Sequence, residues 1–444
     1  MEQESGHACM TQTLSAEKTG FDGLGIAPRL LAILRENNFT VPTPIQHQSI
    51  PAAIEGKDII GIAQTGTGKT LAFGIPIIQQ IAQRRAQGLI LLPTRELALQ
   101  VNETLQKIGR PLGLRTAVLI GGESMPRQIT QVKRNPHIII ATPGRLIDHV
   151  EQKTVSLGKA SIVVLDEADR MFDMGFAPQI NKILAFLPPA AGSDSTPGRQ
   201  TLLFSATMPD AIVSIATKHM ALPVRVEVAP QGTTVELTEQ EIYIVKKEAK
   251  IDLLTQLLRE HAGSVLVFSR TKHGAVKLAN HLKHAGERVV DIHSNKSLSQ
   301  RREALEGFKR GKYRVLVATD IAARGINVSD IELVVNFDIP DNSEDYVHRI
   351  GRTGRAGRAG KAISFAMPDQ QGEIRAIERL IRKTLLVKRH ESVSEELMAL
   401  QKIMRPRPRA RHGSGQRPFS ARRRTGASSF AGNRRPINRF PRHR

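Results

Sequence analysis

Residues 63–70 read Ala-Gln-Thr-Gly-Thr-Gly-Lys-Thr, and no other stretch constrains the fold as strongly. An apolar run at residues 58–62 precedes it, and a segment compatible with a helix begins at Leu71. Because glycine lacks a Cβ atom, Gly66 and Gly68 let the backbone approach an anion and turn its N–H groups toward it. A strand, a glycine-rich turn and the positive end of a helix together predict a phosphate-binding loop.

The same loop carries the side chains that a nucleotide–Mg²⁺ site requires. Lys69 can reach the β- and γ-phosphates, and the Thr70 hydroxyl can bind Mg²⁺. Ala63 stands where the general pattern has its first glycine, so a glycine-rich turn with a chance Lys-Thr pair is the alternative. The flanking strand and helix favour nucleotide binding by the whole loop: Ala63, Gln64, Thr65, Gly66, Thr67, Gly68, Lys69 and Thr70.

Composition limits the class of protein and its partners. The 444 residues allow two or three domains, no run approaches the ~20 apolar residues of a membrane span, and the polar first 20 residues carry no secretory signal. The single cysteine, Cys9, excludes an internal disulfide framework and favours a cytoplasmic setting. Of the net charge of +22, residues 401–444 supply 14 Arg or Lys and no acid, which predicts a polyanion partner or, alternatively, a solvated tail.

Apolar strand candidates alternate with helical segments after the loop, at residues 88–92, 116–120, 137–141, 161–165 and 201–204. This rhythm predicts a parallel α/β sheet, in which ligand chemistry gathers at the carboxyl ends of the strands. Polar clusters follow three of these strands and can hold phosphates without reading bases, although each alone is also common turn chemistry. The predicted backbone contacts are Pro93, Thr94, Arg95, Gly121, Gly122, Thr142, Pro143, Gly144 and Arg145.

Residues 166–169, Asp-Glu-Ala-Asp, follow the buried-strand candidate at 161–165. An acid at this position, downstream of a phosphate-binding loop, predicts that Asp166 holds Mg²⁺, largely through water. Glu167 is placed to orient and deprotonate an attacking water. The alternative is an acidic turn at the surface.

Two further segments bear on the nucleotide. The hydroxyls of Ser205 and Thr207 could hydrogen-bond Asp169 and couple nucleotide state to geometry. Upstream of the loop, Gln46 offers an amide that suits the donor-plus-acceptor edge of adenine, and Phe39 could stack on the base. Standing alone, the segment around Gln46 would be only a loop before a helix.

With these motifs in this order, the chain resembles the DEAD-box family of ATP-dependent RNA helicases, in superfamily 2, over about residues 21–368. The matching motifs are residues 42–46, 63–70, 93–98, 121–122, 142–145, 166–169 and 205–207. The family's loop also begins with alanine, which accounts for Ala63. Residues 166–176 look most like the bacterial RhlE-type subgroup.

The second half repeats the α/β rhythm without a second phosphate-binding loop, at residues 241–245, 265–268, 289–292, 314–318, 333–337 and 362–366. It therefore resembles a RecA-like domain that completes another domain's site. The resemblance implies RNA-backbone contacts at Arg270, Thr271, Thr319 and Asp320. Asn327 stands where the family has an aspartate that contacts the ATP ribose, which implies altered nucleotide affinity or interdomain coupling.

Residues 348–355 read His-Arg-Ile-Gly-Arg-Thr-Gly-Arg. An arginine presents a planar, permanently charged fork to transition-state oxygens. By resemblance, Arg352 and Arg355 are arginine fingers, with His348 beside them. In isolation the motif could equally be a basic loop that faces RNA.

We therefore expect two tandem RecA-like domains, each a parallel sheet covered by helices on both faces. The expected segments are a disordered N-terminus at 1–20, an ATP-binding domain at 21–228, a linker at 229–240, a second domain at 241–385, and a helix with a disordered basic tail at 386–444. The resemblance implies an RNA-stimulated ATPase that uses ATP and Mg²⁺ to unwind short duplexes, with partners in ribosome assembly or RNA decay and no membrane. An ATP-gated RNA clamp or annealing chaperone, or a DNA helicase of the same superfamily, is the alternative.

Deleting residues 405–444 should weaken RNA binding and flatten its salt dependence, because counterion release scales with the number of phosphate contacts. Fluorescence anisotropy with a single-stranded RNA measures the slope of log K against log salt concentration. That slope should lose about 0.7 for each phosphate contact removed. An unchanged slope would show that the tail does not tether RNA.

Overall fold

The structure, a computed structural model, describes residues 20–63, 66–84, 87–190, 198–228, 238–323, 331–354 and 360–391. In these residues the chain forms two seven-stranded sheets. The first contains β1 Ile59–Ile62, β2 Gln87–Leu91, β3 Thr116–Leu119, β4 Ile138–Ala141, β5 Ala160–Leu165, β6 Gln200–Ser205 and β7 Val224–Glu227. The second contains β8 Thr238–Ile244, β9 Val265–Phe268, β10 Val289–Ile292, β11 Val315–Ala318, β12 Leu333–Asn336, β13 Gly360–Ala366 and β14 Leu386–Arg389.

Helices connect and cover the strands. Those of the first half are α1 Pro28–Glu36, α2 Pro44–Ile54, α3 Lys69–Arg84, α4 Arg95–Gly109, α5 Met125–Lys133, α6 Pro143–Glu151, α7 Ala168–Asp173, α8 Ala177–Ala185 and α9 Asp210–His219. Those of the second half are α10 Lys250–Glu260, α11 Lys272–His284, α12 Leu298–Lys309, α13 Asp320–Ala323, α14 Ser343–Ile350 and α15 Gln371–Ile381. Short 3₁₀ turns lie at Arg110–Leu112 and Lys247–Ala249.

Both sheets are parallel and have the same strand order. The first runs β3-β4-β2-β5-β6-β1-β7, and the second runs β10-β11-β9-β12-β13-β8-β14, which is the same order seven strands later. Strand pairs such as β2–β5 and β9–β12 are parallel. This repeat confirms the predicted fold class of two tandem RecA-like domains.

Side chains alternate between the two faces of each sheet although the central strands are buried throughout. In β2, Ile90 packs on one face, whereas Leu89 and Leu91 pack on the other. In β9, Leu266 and Val267 divide between the two faces in the same way. Both faces of each sheet are therefore covered, as parallel sheets require.

The parallel register aligns strand ends at one edge of the first sheet. Ile62 of β1 is in register with Ser205 of β6, and Leu91 of β2 is in register with Leu165 of β5. The phosphate-binding loop therefore begins beside the end of β6, while Asp166 directly follows β5. This edge is where parallel sheets place their ligands.

Two segment boundaries differ from the sequence-based expectation. Residues 386–389 were expected to begin a helix and tail, but they form β14, which pairs with β8. Strand β8 begins at Thr238, inside the expected linker at 229–240. Strand β7 was not expected either. Because β7 and β14 lie at sheet edges and are largely exposed, they lack the apolar run that marks an inner strand. Of the expected N-terminal segment at 1–20 and the expected helix and tail at 386–444, residues 1–19 and 392–444 lie outside the described residues.

Replacing Gly61 with alanine should destabilise the first domain. A Cβ atom at this position in β1 would lie 2.5 Å from Phe204 Cδ1 and 3.4 Å from Ile45 Cδ1, so the ring of Phe204 must move. We expect Gly61→Ala to lower the free energy of unfolding by about 1–3 kcal/mol, measured by urea denaturation. The control is Gly372→Ala on α15, where a Cβ meets nothing within 4 Å. Equal unfolding midpoints for the two variants would contradict the packing argument.

Candidate nucleotide and RNA site

Strand ends of the first sheet converge on a cavity of about 410 Å³. Helix α3 begins there at Lys69, and Asp166 enters from the end of β5. The N–H of Ala63 donates to the Ser205 carbonyl oxygen at 2.9 Å, which fixes the start of the loop against β6. The expected residues that line this cavity are Phe39, Gln46, Gly66, Gly68, Lys69, Thr70, Asp166 and Glu167. Gln64 and Thr65 lie outside the described residues.

Gln46 fastens the segment before α2 to the phosphate-binding loop. Its Nε2 donates to the Gly68 carbonyl oxygen at 2.9 Å, and its Oε1 accepts from the Thr43 N–H at 2.9 Å. Gly68 has a φ of +93°, and a Cβ there would collide with the Gln46 amide, so only glycine fits. The amide thus has two protein partners, which use one of its two donors and one of its two acceptor sites. Contact of Gln46 with adenine stays a prediction.

Lys69 and Asp166 form a buried pair at the base of the cavity. Lys69 Nζ lies 3.9 Å from Asp166 Oδ1, and both side chains are almost fully buried. Burial raises the pKa of Asp166 to about 6, even though the Lys69 ammonium acts in the opposite direction. The Lys69 charge therefore offsets only part of the cost of burying the Asp166 carboxylate, and a further cation would stabilise its ionised form.

These donors fit Mg²⁺, which prefers oxygen ligands. Asp166 supplies a buried carboxylate, and Thr70 supplies a hydroxyl that lines the same cavity. Within the described ranges, no cluster of three or more His, Cys, Asp or Glu side chains is arranged to hold a metal alone. Mg²⁺ usually binds through one or two carboxylates together with substrate phosphates, so the residues present suffice.

Glu167 has an unusual backbone and a strongly basic environment. Its φ and ψ of 52° and 51° place it in the left-handed region, which is uncommon for a residue with a side chain and marks local strain. Its Oε2 lies 3.6 Å from Arg170 Nε, with both side chains buried. Burial alone would raise the Glu167 pKa, but attraction from Arg170, Lys69 and Arg352 outweighs it and holds the pKa below its usual value.

Asp169 joins the end of β5 to the segment after β6. Its Oδ2 accepts from the Ala206 N–H at 2.9 Å, from the Thr207 N–H at 2.8 Å and from Thr207 Oγ1 at 3.1 Å. Ser205 Oγ instead accepts from the Asp169 N–H at 3.1 Å. The hydrogen bonds anticipated between these residues are present, although the Ser205 hydroxyl bonds to the backbone of Asp169 rather than to its carboxylate.

Two arginines of the second half, Arg349 and Arg352, line one small cavity together with Arg170 of the first half. Arg349 and Arg352 are each 2% exposed, as is Arg170 of the first half. Arg349 pairs through two nitrogens with the Asp320 carboxylate, and its guanidinium stacks 5.1 Å from the Phe268 ring centre. His348 lines a small cavity of about 10 Å³ with these arginines. Arg355 and Asn327 lie outside the described residues.

A second cavity, of about 460 Å³, is lined by residues of the polar clusters that were expected to hold RNA. We call this cavity the groove. Those of the first half that line it are Pro93, Thr94, Arg95, Gly121, Thr142, Gly144 and Arg145. The Arg95 guanidinium packs against the Gly121-Gly122 turn. A Cβ atom on Gly122, whose φ is +75°, would collide with it. Helices α4 and α6 both begin at this groove, after Thr94 and Thr142. Their N-terminal N–H groups favour an anion there.

The second half contributes residues to this groove that the motifs did not single out. They are Ser294, Lys296, Arg301 and Ala322. Of these, Ser294 and Lys296 lie in the segment that follows β10, and their position after a strand end is a signal that sequence reasoning could have used. The four contacts expected in the second half, Arg270, Thr271, Thr319 and Asp320, do not line the groove. Asp320 pairs with Arg349, and Arg270 pairs with Asp341 at 3.1 Å.

A buried ion pair crosses between the two halves beside this groove. Arg301 Nη1 of α12 lies 3.1 Å from Glu96 Oε1 of α4. Leu298, one turn earlier on α12, packs into the apolar cluster of the first half. The two sheets are therefore held together beside the groove by both charge and apolar contact.

Two family models match the chain. One, described as DEAD/DEAH box helicase, matches residues 43–215, and the other, described as Helicase conserved C-terminal domain, matches residues 249–357. The DEAD-box ATP-dependent RNA helicase CshA of Streptococcus pneumoniae serotype 4 is 43% identical over 393 residues, which are 87% of this chain and 74% of that protein. The chain belongs to the DEAD-box ATP-dependent RNA helicases. The predicted enzyme class is thereby confirmed.

Solved structures of this helicase family are similar in fold. S. cerevisiae Dbp5 bound to RNA and ADP BeF3 matches with a TM-score of 0.74 and 31% identity, covering 87% of this chain and 100% of that one. Mss116p bound to ssRNA and AMP-PNP matches with a TM-score of 0.76 and 26% identity, covering 88% of this chain and 84% of that one. The name CshA points to a subgroup other than the RhlE type suggested by residues 166–176. Among the described residues, no helix has the length and apolarity needed to cross a membrane.

Replacing Arg170 with methionine should destabilise this helicase, because Glu167 keeps its buried charge and loses a close partner. We expect a loss of about 3 kcal/mol in the free energy of unfolding, measured by urea denaturation. Adding Glu167→Gln to that variant should recover most of the loss, because both charges are then gone.

The control for this prediction is Lys107→Met. Its ion pair with Glu103, at 3.8 Å, is exposed, so we expect a change below about 0.5 kcal/mol. If the double variant were as unstable as Arg170→Met alone, the ion pair would not be the source of the effect.

Proposed function

We propose that this DEAD-box protein closes on RNA in the presence of ATP, separates short duplexes locally and resets by hydrolysis. The observation that carries the proposal is the position of Arg352. It belongs to the second half, yet its charge lowers the pKa of Glu167 in the first half. A hydrolytic site that draws on both halves is complete only when they are closed together.

The nucleotide-binding roles follow from the larger cavity beside α3. Lys69 holds the β- and γ-phosphates of ATP, and the loop's N–H groups surround them. Thr70 and Asp166 hold Mg²⁺, which supplies positive charge to the transferring phosphoryl group when bound. Phe39 lines the cavity at the side where a base would stack, together with Val41.

Glu167 acts as the base that orients and deprotonates water. Its lowered pKa keeps the carboxylate ionised at neutral pH, which is the form that can accept a proton from water. Its left-handed backbone and the pairing with Arg170 fix the direction of the side chain. Arg352, with Arg355 from outside the described residues, stabilises the charge that develops on the phosphate oxygens.

Asp169 couples the nucleotide to the rest of the site. It ties the end of β5 to Ser205 and Thr207 through the hydrogen bonds described above. A displacement of Glu167 therefore moves the segment after β6 as well. His348 and Asn327 are proposed to take part in this coupling from the second half.

RNA lies in the groove that the first half builds from three strand ends. Arg95, Arg145 and the N-termini of α4 and α6 favour phosphates rather than base edges, so we expect little sequence preference. Lys296 and Arg301 extend the groove into the second half. A strand that follows both halves is held in one path, and a duplex that cannot adopt this path loses base pairs.

The domain division that fits this mechanism places the ATP-binding domain at 21–228 and the second domain from Thr238 to Arg389. The basic tail beyond it raises the local concentration of RNA. Partners in ribosome assembly or RNA decay, a cytoplasmic location and membership of the RhlE-type subgroup stay predictions.

Steady-state ATP hydrolysis tests the proposal most directly. We expect strong stimulation by poly(U) in the wild type and a loss of about 10²- to 10⁴-fold in kcat for Glu167→Gln, since general base catalysis contributes that much. Lys69→Ala should lose turnover with an intact fold. Strand displacement from a short fluorescent RNA duplex, with and without ATP, then measures unwinding.

Each outcome has a distinct meaning. Wild-type turnover in Glu167→Gln or Lys69→Ala would overturn the site assignment. RNA-stimulated hydrolysis without strand displacement would favour the ATP-gated clamp or annealing chaperone. Stimulation by DNA equal to that by RNA would favour a DNA helicase.

A further inference from the structure

A buried side-chain network joins the segment after β3 to helix α6. Gln128 of α5 donates through Nε2 to the Ile120 carbonyl oxygen at 2.8 Å, and its Oε1 lies 3.1 Å from His149 Nε2. His149 Nδ1 lies 2.8 Å from Thr154 Oγ1. Gln128 is 2% exposed and His149 is 0% exposed, so the two hydrogen bonds of Gln128 are shielded from bulk water, while that to Thr154 is part-buried.

The partners assign the direction of each hydrogen bond. Because Gln128 Nε2 is the donor to Ile120, its Oε1 is the acceptor, and His149 Nε2 must carry a hydrogen. Burial and the nearby Arg145 charge lower the pKa of His149, which favours the neutral ring. His149 Nδ1 is then an acceptor, and the single hydrogen of the Thr154 hydroxyl is shared between this nitrogen, at 2.8 Å, and the His149 carbonyl oxygen, at 3.0 Å.

The network lies directly behind two parts of the RNA groove. Ile120 immediately precedes the Gly121-Gly122 turn, while α6 carries Arg145 in its first turn. Neither Gln128 nor His149 lines the groove itself. At the surface, Arg145 Nη1 donates to the Glu123 carbonyl oxygen at 2.9 Å, which ties the same two parts together a second time.

We propose that Gln128 and His149 are positioning residues for RNA, which hold the Gly121-Gly122 turn at a fixed distance from the N-terminus of α6. This inference rests on the proposed RNA groove. An RNA backbone that contacts both parts needs their spacing set in advance, because ordering them on binding would cost affinity. A purely structural role, satisfying buried polar groups, predicts lost stability without a specific loss of RNA binding.

The test replaces Gln128 with methionine, which keeps the length of the side chain and removes both hydrogen bonds. The matched control is Gln131→Met on the same helix. Gln131 is exposed and accepts a hydrogen bond from the Val118 N–H at 3.1 Å. The readouts are the poly(U) concentration that half-activates ATP hydrolysis, kcat at saturating poly(U), and the affinity for a fluorescent ATP analogue without RNA.

We expect Gln128→Met to raise the half-activating poly(U) concentration by about 10- to 100-fold, with kcat and nucleotide affinity unchanged, because a small misplacement costs this much. Gln131→Met should behave as the wild type. Thr154→Val, which removes the hydroxyl partner of His149 at a residue that does not line the groove, should shift the same concentration in the same direction by less. Because Thr154 belongs to the same network through His149, this second variant tests the inference if Gln128→Met does not fold.

Arg145→Ala separates failure of this inference from failure of the groove assignment. If Arg145→Ala weakens RNA activation and neither Gln128→Met nor Thr154→Val does, the positioning role is overturned and the groove stands. If none of the three weakens it, the groove is misplaced and the inference falls with it. An equal effect of Gln131→Met would assign the change to helix α5 in general and would also overturn the inference.

Discussion

Two carboxylates are buried at the end of β5, and much of the site is arranged around the cost of burying their charge. Asp166 and Glu167 are adjacent and almost fully buried; burial and the Glu167 charge raise the pKa of Asp166, while burial and the Asp169 charge act to raise that of Glu167. Arg170 and Lys69 of the first half offset part of this cost for Glu167, and Arg352 of the second half adds a smaller contribution. The electrostatics of Glu167 therefore depend on charges from both halves.

Backbone constraints set the geometry around these charges. Gly68 must lack a side chain because the Gln46 amide fills the space beside it. Glu167 adopts a left-handed conformation directly after an inner strand, where the surrounding packing can hold that strain. Segments far apart in the sequence thus act as one rigid unit around the nucleotide cavity.

The two sheets share a strand order but contribute different chemistry. In the first, the strand ends carry the phosphate-binding loop and the groove for which we propose RNA binding. In the second, the strand-end Asp320 is neutralised by Arg349, and the segment after β10 supplies Lys296 to the groove instead. Arg301 and Glu96 then join the halves beside the groove.

The sequence by itself determined the fold class, the inner strands and the phosphate-binding loop, because these depend on local patterns: short apolar runs, glycine positions and polar residues that follow strands. It also placed Asp166 and Glu167 at the end of β5. Only the tertiary structure decided the edge strands β7 and β14, the protein partners of Gln46 and the pairing of Asp320 with Arg349. These depend on which distant segments pack together. An edge strand needs no apolar run when one side faces solvent, and a polar side chain bonds to whichever partner the packing brings within reach.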